Sequence, residues 1–451
     1  MRRSAVELAA LLGARLEGEG GRPVTGVAID SRAVRPGDLF VALPGERTDG
    51  HEFVAQAAAA GAAAALVSQA VTAELPMLVV PDTLAALQRL ARAERAGAGY
   101  RLAAITGSIG KTTTKEFLVA LLATTFSVGF TTGSRNSQAG FPAELCNRPE
   151  GIAWMVAELG MNHAGELDRL GEIAEPDALL YTVVAPVHLE FFADVDAIAE
   201  AKAELIPHLR PEGLLILNAA DRRVAGFASR FHGNVVRYGV PRESDLWLED
   251  YRDNGLLGSA FRLAGPLAAV EVEWSIPGRH QADNLLAAAT LALAVGVAPS
   301  AVGPCTTRMR PAPRRGEVHT LPGAGITVVD DSYNSSPQAA VAVLAMLAVT
   351  PGRRVAVLGE MLELGPSSPA LHREVGRRAA TAADVVVAVG GECAAELARA
   401  AKGIETHHVA EAGEALALLR TLLRPGDVVL IKGSRGIGLD LVADGLCAGV
   451  A

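Results

Sequence analysis

The chain reads as an α/β protein of three domains, the last two built on parallel sheets. Three observations lead there. Its 451 residues suit about three domains of ordinary size. Short apolar runs without polar alternation recur between helical stretches, as parallel strands covered on both faces require. A Pro-rich basic segment, Met309-Arg310-Pro311-Ala312-Pro313-Arg314-Arg315, separates two such stretches. The expected divisions are residues 1–98, 99–310 and 311–451.

In the first zone, residues 24–29 form a strand ended by Asp30-Ser31-Arg32, and residues 39–43 a second ended by Pro44-Gly45. Residues 53–65 read as an alanine-rich helix, and residues 78–80 as a third strand closed by Pro81. In the second zone, residues 102–105 are a compact apolar strand. A glycine-bearing turn follows, then a helix with Phe117, Leu118, Leu121 and Leu122 on one face. Residues 152–157, 180–184 and 214–217 are further buried strands. Residues 246–274 alternate instead, with turn signals at Asp253-Asn254-Gly255 and Gly265-Pro266, so an antiparallel insert is expected. Beyond the Pro-rich segment, strands at 326–329, 354–358, 385–389 and 428–431 alternate with helices, the pattern of a doubly wound, Rossmann-like domain.

Composition narrows the function. Half the residues are apolar, a fifth are charged and the formal charge is −9. No polybasic block occurs and aromatics are only 4%, which speaks against a nucleic-acid groove with stacked bases. Cysteines 146, 305, 393 and 447 are too far apart for a zinc site and read as reduced thiols. Glu7 and Arg15 interrupt the apolar stretch after Met1-Arg2-Arg3, so no secretory signal is expected. The longest apolar run, residues 285–298, falls short of the roughly 20 residues that span a bilayer. A cytoplasmic protein without membrane insertion is expected, with a monomer as the default.

The sharpest motif is Ala104-Ile105-Thr106-Gly107-Ser108-Ile109-Gly110-Lys111-Thr112-Thr113, between an expected strand and an expected helix. Gly107 and Gly110 let the backbone approach phosphate oxygens, and the helix N-terminus supplies free N–H groups. Lys111 can reach β- and γ-phosphates and Thr112 can offer a hydroxyl to Mg²⁺. The full eight-residue phosphate-loop pattern would need Gly where Ile105 stands, so this is a shorter form. Nucleotide binding is expected of Gly107, Ser108, Ile109, Gly110, Lys111, Thr112 and Thr113.

Ligands gather beyond the carboxyl ends of strands in an open α/β sheet. Glu158, in Glu158-Leu159-Gly160, and His188, in Val187-His188-Leu189-Glu190, follow two such strands and could reach Mg²⁺. Read alone, the carboxylate could as well be solvated and the histidine structural. Asn136 and His163 lie on loops, where capping and ligand roles are evenly balanced. Lys202, in Ala201-Lys202-Ala203-Glu204 on an expected helix, reads by position alone as a surface lysine. Asn284 could bond a base edge, Asp331 ribose hydroxyls, and Lys432 and Arg435 anionic groups.

Taken in order, these segments resemble the Mur ligase family, ATP-dependent amide-bond formers of peptidoglycan synthesis, over essentially the whole chain. Asp30-Ser31-Arg32-Ala33-Val34-Arg35-Pro36-Gly37-Asp38 and Thr48-Asp49-Gly50-His51-Glu52-Phe53 resemble the UDP-sugar-binding domain of its third- and fourth-step members. Glu158-Leu159-Gly160-Met161-Asn162-His163-Ala164-Gly165-Glu166, Asp330-Asp331-Ser332-Tyr333-Asn334 and Lys432-Gly433-Ser434-Arg435 are similar to the member that adds D-alanyl-D-alanine. The D-N-P-[RK] motif of the third-step member does not occur. Ser134, Ser137, Gln281, Arg314 and Glu360 depart from the family pattern, which bears on the adenine and dipeptide pockets.

The resemblance implies ligation of D-alanyl-D-alanine to UDP-N-acetylmuramoyl-tripeptide through an acyl phosphate. A sibling carboxylate–amine ligase, a third-step enzyme or a folylpolyglutamate synthase, is the alternative. ATP and Mg²⁺ are implied, on a small UDP-sugar-binding domain, a central phosphate-loop ATPase domain and a C-terminal Rossmann-like domain. Lys111, Glu158, His188 and Lys202 become catalytic. Thr112, Glu158, His188 and a carbamylated Lys202 serve the metal. Asn284, Arg315 and Asp331 contact the nucleotide, while Ser31, Arg32, Asp49, Asn136 and His163 face substrate.

Overall fold

The computed structural model describes residues 1–19, 22–45, 48–69, 71–321 and 323–448. The first sheet holds β1 (Arg15–Glu17), β2 (Gly26–Ala28), β3 (Asp38–Val41), β4 (Ala64–Val67) and β5 (Met77–Val79) in the order β1-β5-β4-β3-β2. Only β1 is antiparallel to its neighbour. The helix expected over 53–65 is corrected: the helix is Val54–Ala59, and Ala64–Val67 is a strand. A run of alanines has no periodicity to separate the two. Gly61, at φ +94°, turns the chain between them.

The central sheet is fully parallel, with β6 (Arg101–Thr106), β7 (Val128–Phe130), β8 (Trp154–Glu158), β9 (Ala178–Tyr181), β10 (Leu214–Asn218) and β11 (Asn234–Tyr238) in the order β11-β10-β9-β6-β8-β7. The chain departs from β6 in both directions, which makes the carboxyl ends of β6, β8 and β9 the place where loops diverge and a ligand can enter. Leu102 and Ala104 pack into one core and Ala103 and Ile105 into another, so β6 is covered on both faces. The strand expected over 180–184 stops at Tyr181. Beyond it Thr182 bonds the phosphate loop, and the Val184 N–H donates to Asp221 Oδ2 at 2.7 Å. The expected antiparallel insert is β12 (Trp247–Asp253), β13 (Ser259–Ala264) and β14 (Val270–Trp274). After it the alanine-rich helix Arg279–Ala294 lies against the helix Lys111–Leu122.

The last sheet holds β15 (Glu317–Leu321), β16 (Ile326–Asp330), β17 (Arg353–Gly359), β18 (Val385–Val389), β19 (Glu405–Val409) and β20 (Asp427–Lys432) in the order β15-β16-β20-β17-β18-β19. Only β15 runs antiparallel. The two edges, β15 and β19, are half-polar and escape a search for apolar runs. Ala356 and Leu358 face one core, Val355 and Val357 the other.

The two junctions differ. Leu8, Leu39, Leu66 and Leu87 of the first domain share one continuous core with Phe141, Leu170 and Leu179 of the second. Arg95, 1% exposed, is locked there, donating to the carbonyls of Ala174, Tyr100 and Glu175 and to Asp177 Oδ2 at 2.8–3.1 Å. The third domain keeps its own cores, with Leu256 of the second packed against one of them, and the side-chain hydrogen bonds Ser134–Tyr333, Thr112–Arg315 and His188–Glu363 cross the junction. No helix among the described residues is long and apolar enough to cross a membrane. The four cysteines are free.

Candidate active site

The loop after β6 carries two glycines at positive φ, Gly107 at +141° and Gly110 at +85°. Both also sit close against a neighbouring side chain. A Cβ on Gly107 would lie 1.9 Å from Thr182 Oγ1, and one on Gly110 would lie 2.3 Å from Asn284 Oδ1. Thr182 Oγ1 in turn donates to the Ile109 carbonyl at 2.7 Å. The Ser108 N–H donates to Val183 O at 2.7 Å and its hydroxyl to Ala185 O at 3.1 Å. The loop is thus stitched to the end of β9 and opens directly into the helix Lys111–Leu122, whose free N–H groups and dipole favour an anion.

Two lysines converge on the loop. Lys111 Nζ donates to the carbonyls of Gly107 and Ser108 at 2.9 and 3.2 Å. Burial pushes its pKa below the ordinary value, with Glu158 opposing and Arg315 adding to the shift. Lys202 Nζ donates to the same Gly107 carbonyl at 3.1 Å. Lys202 is on the helix Val195–Ala203 as expected, but it is 2% exposed, which overturns the surface reading of its position. Burial, then the neighbouring Lys111 charge, hold its pKa well below the ordinary value.

Beside the lysines lies an acceptor cluster. Glu158, 2% exposed at the end of β8, accepts from the Thr112 hydroxyl and from Asn136 Nδ2, each at 2.6 Å. Arg315 Nη2 donates to Thr112 Oγ1 at 3.1 Å, and its guanidinium stacks 4.0 Å from the Tyr333 ring centre. The Thr112 hydroxyl and Glu158 carboxylate are hard oxygen donors at the mouth of a phosphate loop, a set that fits Mg²⁺. Thr113 is buried behind them, and the Thr114 hydroxyl faces Asn284 Oδ1 at 3.5 Å.

Other expected residues sit farther out. His188, at φ +57°, hydrogen-bonds through Nδ1 to Glu363 of the third domain at 2.6 Å. Asp331 accepts from Lys432 Nζ at 2.7 Å. His163 stands edge-on to Phe191, with ring centres 4.8 Å apart. In the first domain Ser31 donates to Gln56, Arg32 is paired with Asp30, and Asp49 Oδ1 meets His51 Nδ1 at 2.6 Å. A cavity of about 490 Å³ opens between the domains, its walls including Ile29 from the first, Ser134, Arg135 and Ser137 from the second, and Tyr333 and Arg435 from the third. Ser134 and Tyr333 hydrogen-bond across it through their hydroxyls. A second acidic cluster, Glu317, His319 and Asp330, is closed off by Arg314, whose N–H donates to Glu317 at 2.7 Å and whose guanidinium lies 3.5 Å from Asp330.

Sequence reasoning overlooked several of these groups. Lys115 is fully buried and donates to the carbonyls of Thr131 and Gly133, fixing the loop that carries Ser134 and Asn136. Its signal was available, a second lysine one helical turn after Lys111 on an apolar face. Thr182 and Glu363 had no such signal, because only tertiary contact brings them in.

A strand, a glycine loop and a helix N-terminus with two lysines and a threonine–carboxylate pair define a phosphate-loop nucleotide-binding protein. Sequence models narrow the class: the Mur ligase family catalytic domain matches residues 23–95, the Mur ligase middle domain residues 105–292, and the Mur ligase glutamate ligase domain residues 314–435. The UDP-N-acetylmuramoyl-tripeptide–D-alanyl-D-alanine ligase of Mycobacterium tuberculosis is 37% identical, across 95% of this chain and 93% of that protein. A crystal structure of MurF from Acinetobacter baumannii superposes with a TM-score of 0.89 at 30% identity, covering 99% of both chains. MurF from Thermotoga maritima in complex with ADP gives 0.82 at 28% identity, covering 95% of this chain and 98% of that one. The chain belongs to the Mur ligase family.

Proposed function

We propose that the chain joins D-alanyl-D-alanine to UDP-N-acetylmuramoyl-tripeptide at the expense of ATP, giving the pentapeptide, ADP and phosphate. The reading rests on similarity to ligases of that name over nearly the full chain. The observation that carries the chemistry is the gathering of Lys111, Lys202, Thr112 and Glu158 around one phosphate loop.

The tripeptide carboxylate attacks the γ-phosphorus of ATP, and the bond to the ADP oxygen breaks. Both reactants are anions, so the barrier is largely electrostatic repulsion. Lys111, now held by two carbonyls, would turn to the β- and γ-oxygens. The loop N–H groups from Gly107 to Thr113 would cradle the phosphates. Asn284, Arg315 and Asp331 would hold the rest of the nucleotide. The amine of D-alanyl-D-alanine then attacks the acyl carbon, loses a proton and expels phosphate. Closure of the third domain would keep water from the acyl phosphate.

Mg²⁺, when bound, supplies charge neutralisation on the phosphoryl oxygens. Thr112, Glu158, His188 and Lys202 would hold it. Lys202 serves this role as a carbamate, formed when its neutral amine adds to CO₂ and loses a proton; its buried, acid-free setting favours the neutral amine. Lys202→Arg, which keeps the charge but cannot form the carbamate, should lose turnover. Ser31, Arg32 and Asp49 would face the UDP-sugar, with Asn136 and His163 on the peptide side. The working domain boundaries are 98/99 and 310/311, and the enzyme acts as a cytoplasmic monomer.

The test is a substrate swap. The protein is given UDP-muramoyl-tripeptide and ATP with either D-alanyl-D-alanine or a single diamino acid. Phosphate release only with the dipeptide is expected. Release only with the diamino acid would make the protein a third-step sibling.

A further inference from the structure

Two loops from different domains meet beside the phosphate site. The first follows β9. The Thr182 N–H donates to Thr106 O at 3.0 Å, and the Ala185 N–H to Ser108 Oγ at 3.0 Å, so the segment is tied to the phosphate loop. Three residues on, His188 adopts φ +57°, a left-handed conformation with a steric cost for any residue with a Cβ.

The second loop follows β17. The Met361 N–H donates to Nε2 of the fully buried His372 at 2.9 Å. The Leu362 N–H donates to Ser434 Oγ at 2.9 Å, and the Ser434 N–H to Glu360 O at 3.3 Å. Glu363, next in the chain, is also left-handed, at φ +63°. Each loop is therefore fixed by its own domain before the two touch.

They touch closely. His188 Nδ1 lies 2.6 Å from Glu363 Oε2, and the Glu190 N–H donates to the Glu363 carbonyl at 3.3 Å. Gly365 backs onto Leu189, where a Cβ would lie 2.9 Å from the Leu189 carbonyl oxygen. One carboxylate oxygen of Glu363 faces the ring nitrogen at that distance, and a carboxylate accepts. The proton is then on Nδ1, and the other ring nitrogen, Nε2, carries a lone pair in the neutral imidazole. Nε2 forms no hydrogen bond among the described residues.

We propose that Glu363 is a positioning residue for His188: the third domain supplies the carboxylate that fixes the imidazole in the tautomer and orientation with Nε2 available to a divalent cation. This rests on the reading above that His188 is a metal ligand. A ligand on the second domain is thereby completed by docking of the third, so metal occupancy and domain closure favour each other. Both carboxylate and ring are partly exposed, so the contact acts through geometry more than through stability.

The test uses the full chain labelled with ¹⁵N-histidine, together with Mn²⁺ binding in the presence of ADP followed by electron paramagnetic resonance. In the wild type, His188 should show protonated Nδ1 and unprotonated Nε2 before metal is added. Glu363→Ala should mix the tautomers and weaken Mn²⁺ binding about ten- to hundredfold. Glu363→Gln, which keeps an acceptor oxygen but removes the charge, should stay within about threefold of wild type, on the premise that the charge counts for little in an exposed pair and the acceptor's position decides. An unchanged tautomer in Glu363→Ala, or Mn²⁺ affinity within twofold of wild type, overturns the proposal. If His188→Ala leaves Mn²⁺ affinity unchanged, the ligand assignment itself fails and the proposal falls with it.

Discussion

The second domain has two neighbours and holds them by opposite means. Toward the first domain it presents leucines and a buried arginine in one shared core. Toward the third it presents hydroxyls and charges: Ser134 to Tyr333, Thr112 to Arg315, His188 to Glu363. Apolar burial is lost steeply on separation, whereas exposed polar pairs exchange readily for water. The first junction therefore suits a fixed platform and the second a joint that opens. Arg314 at φ +59° and Gly316 at φ +85°, in the connecting segment, give the joint its bend.

The coarsest way to break this comparison is to cut the chain. A fragment of residues 1–98 loses the packing of Phe141, Leu145 and Leu170 and should give no cooperative unfolding transition. A fragment of residues 311–451 should give one by calorimetry. Next, Arg95→Ala should lower the unfolding free energy by about 3–5 kcal/mol, read from urea titration, because four acceptors lose their donor in a buried site. Lys111→Ala on the phosphate loop should instead spare stability and cut turnover about 10²- to 10³-fold at saturating ATP. At the polar joint, Arg315→Ala should reduce kcat/KM for ATP about ten- to hundredfold, since a charged hydrogen bond contributes about 1.5–3 kcal/mol, with the melting temperature little changed.

The smallest effect is a pH dependence. His280, at the start of the helix beside the joint, has a buried Nδ1 without a partner among the described residues, and burial pushes its pKa down to about 4. The unfolded imidazole titrates near 6.5, so between pH 6.5 and 4 the unfolded state binds the extra proton. Stability should fall as pH drops through that window, and His280→Asn should flatten the slope of melting temperature against pH.

The sequence made the phosphate loop legible because its chemistry is local: strand, glycines, lysine and helix are consecutive. Glu158 was legible as a strand end, and the structure adds that Thr112 and Asn136 both bond to it. Residues whose meaning depends on distant partners were not legible. Lys202 reads as a surface residue until the fold buries it under Gly107. Glu363 has no meaning until another domain brings His188 to it. The misread helix over 53–65 shows the same limit at the level of elements, since alanine fits a helix or a buried strand and only the sheet decides.

The tight quarters around Gly107 and Gly110 have a consequence for laboratory evolution. A library that randomises these two positions alone should return glycine, because any new side chain meets Thr182 or Asn284. Randomising 182 and 284 as well provides room but not permission, since both glycines keep a φ that L-residues avoid. Useful diversity must therefore enter between the glycines at Ile109, whose φ is not in the left-handed region, since the hydroxyl of Ser108 is already bound to Ala185.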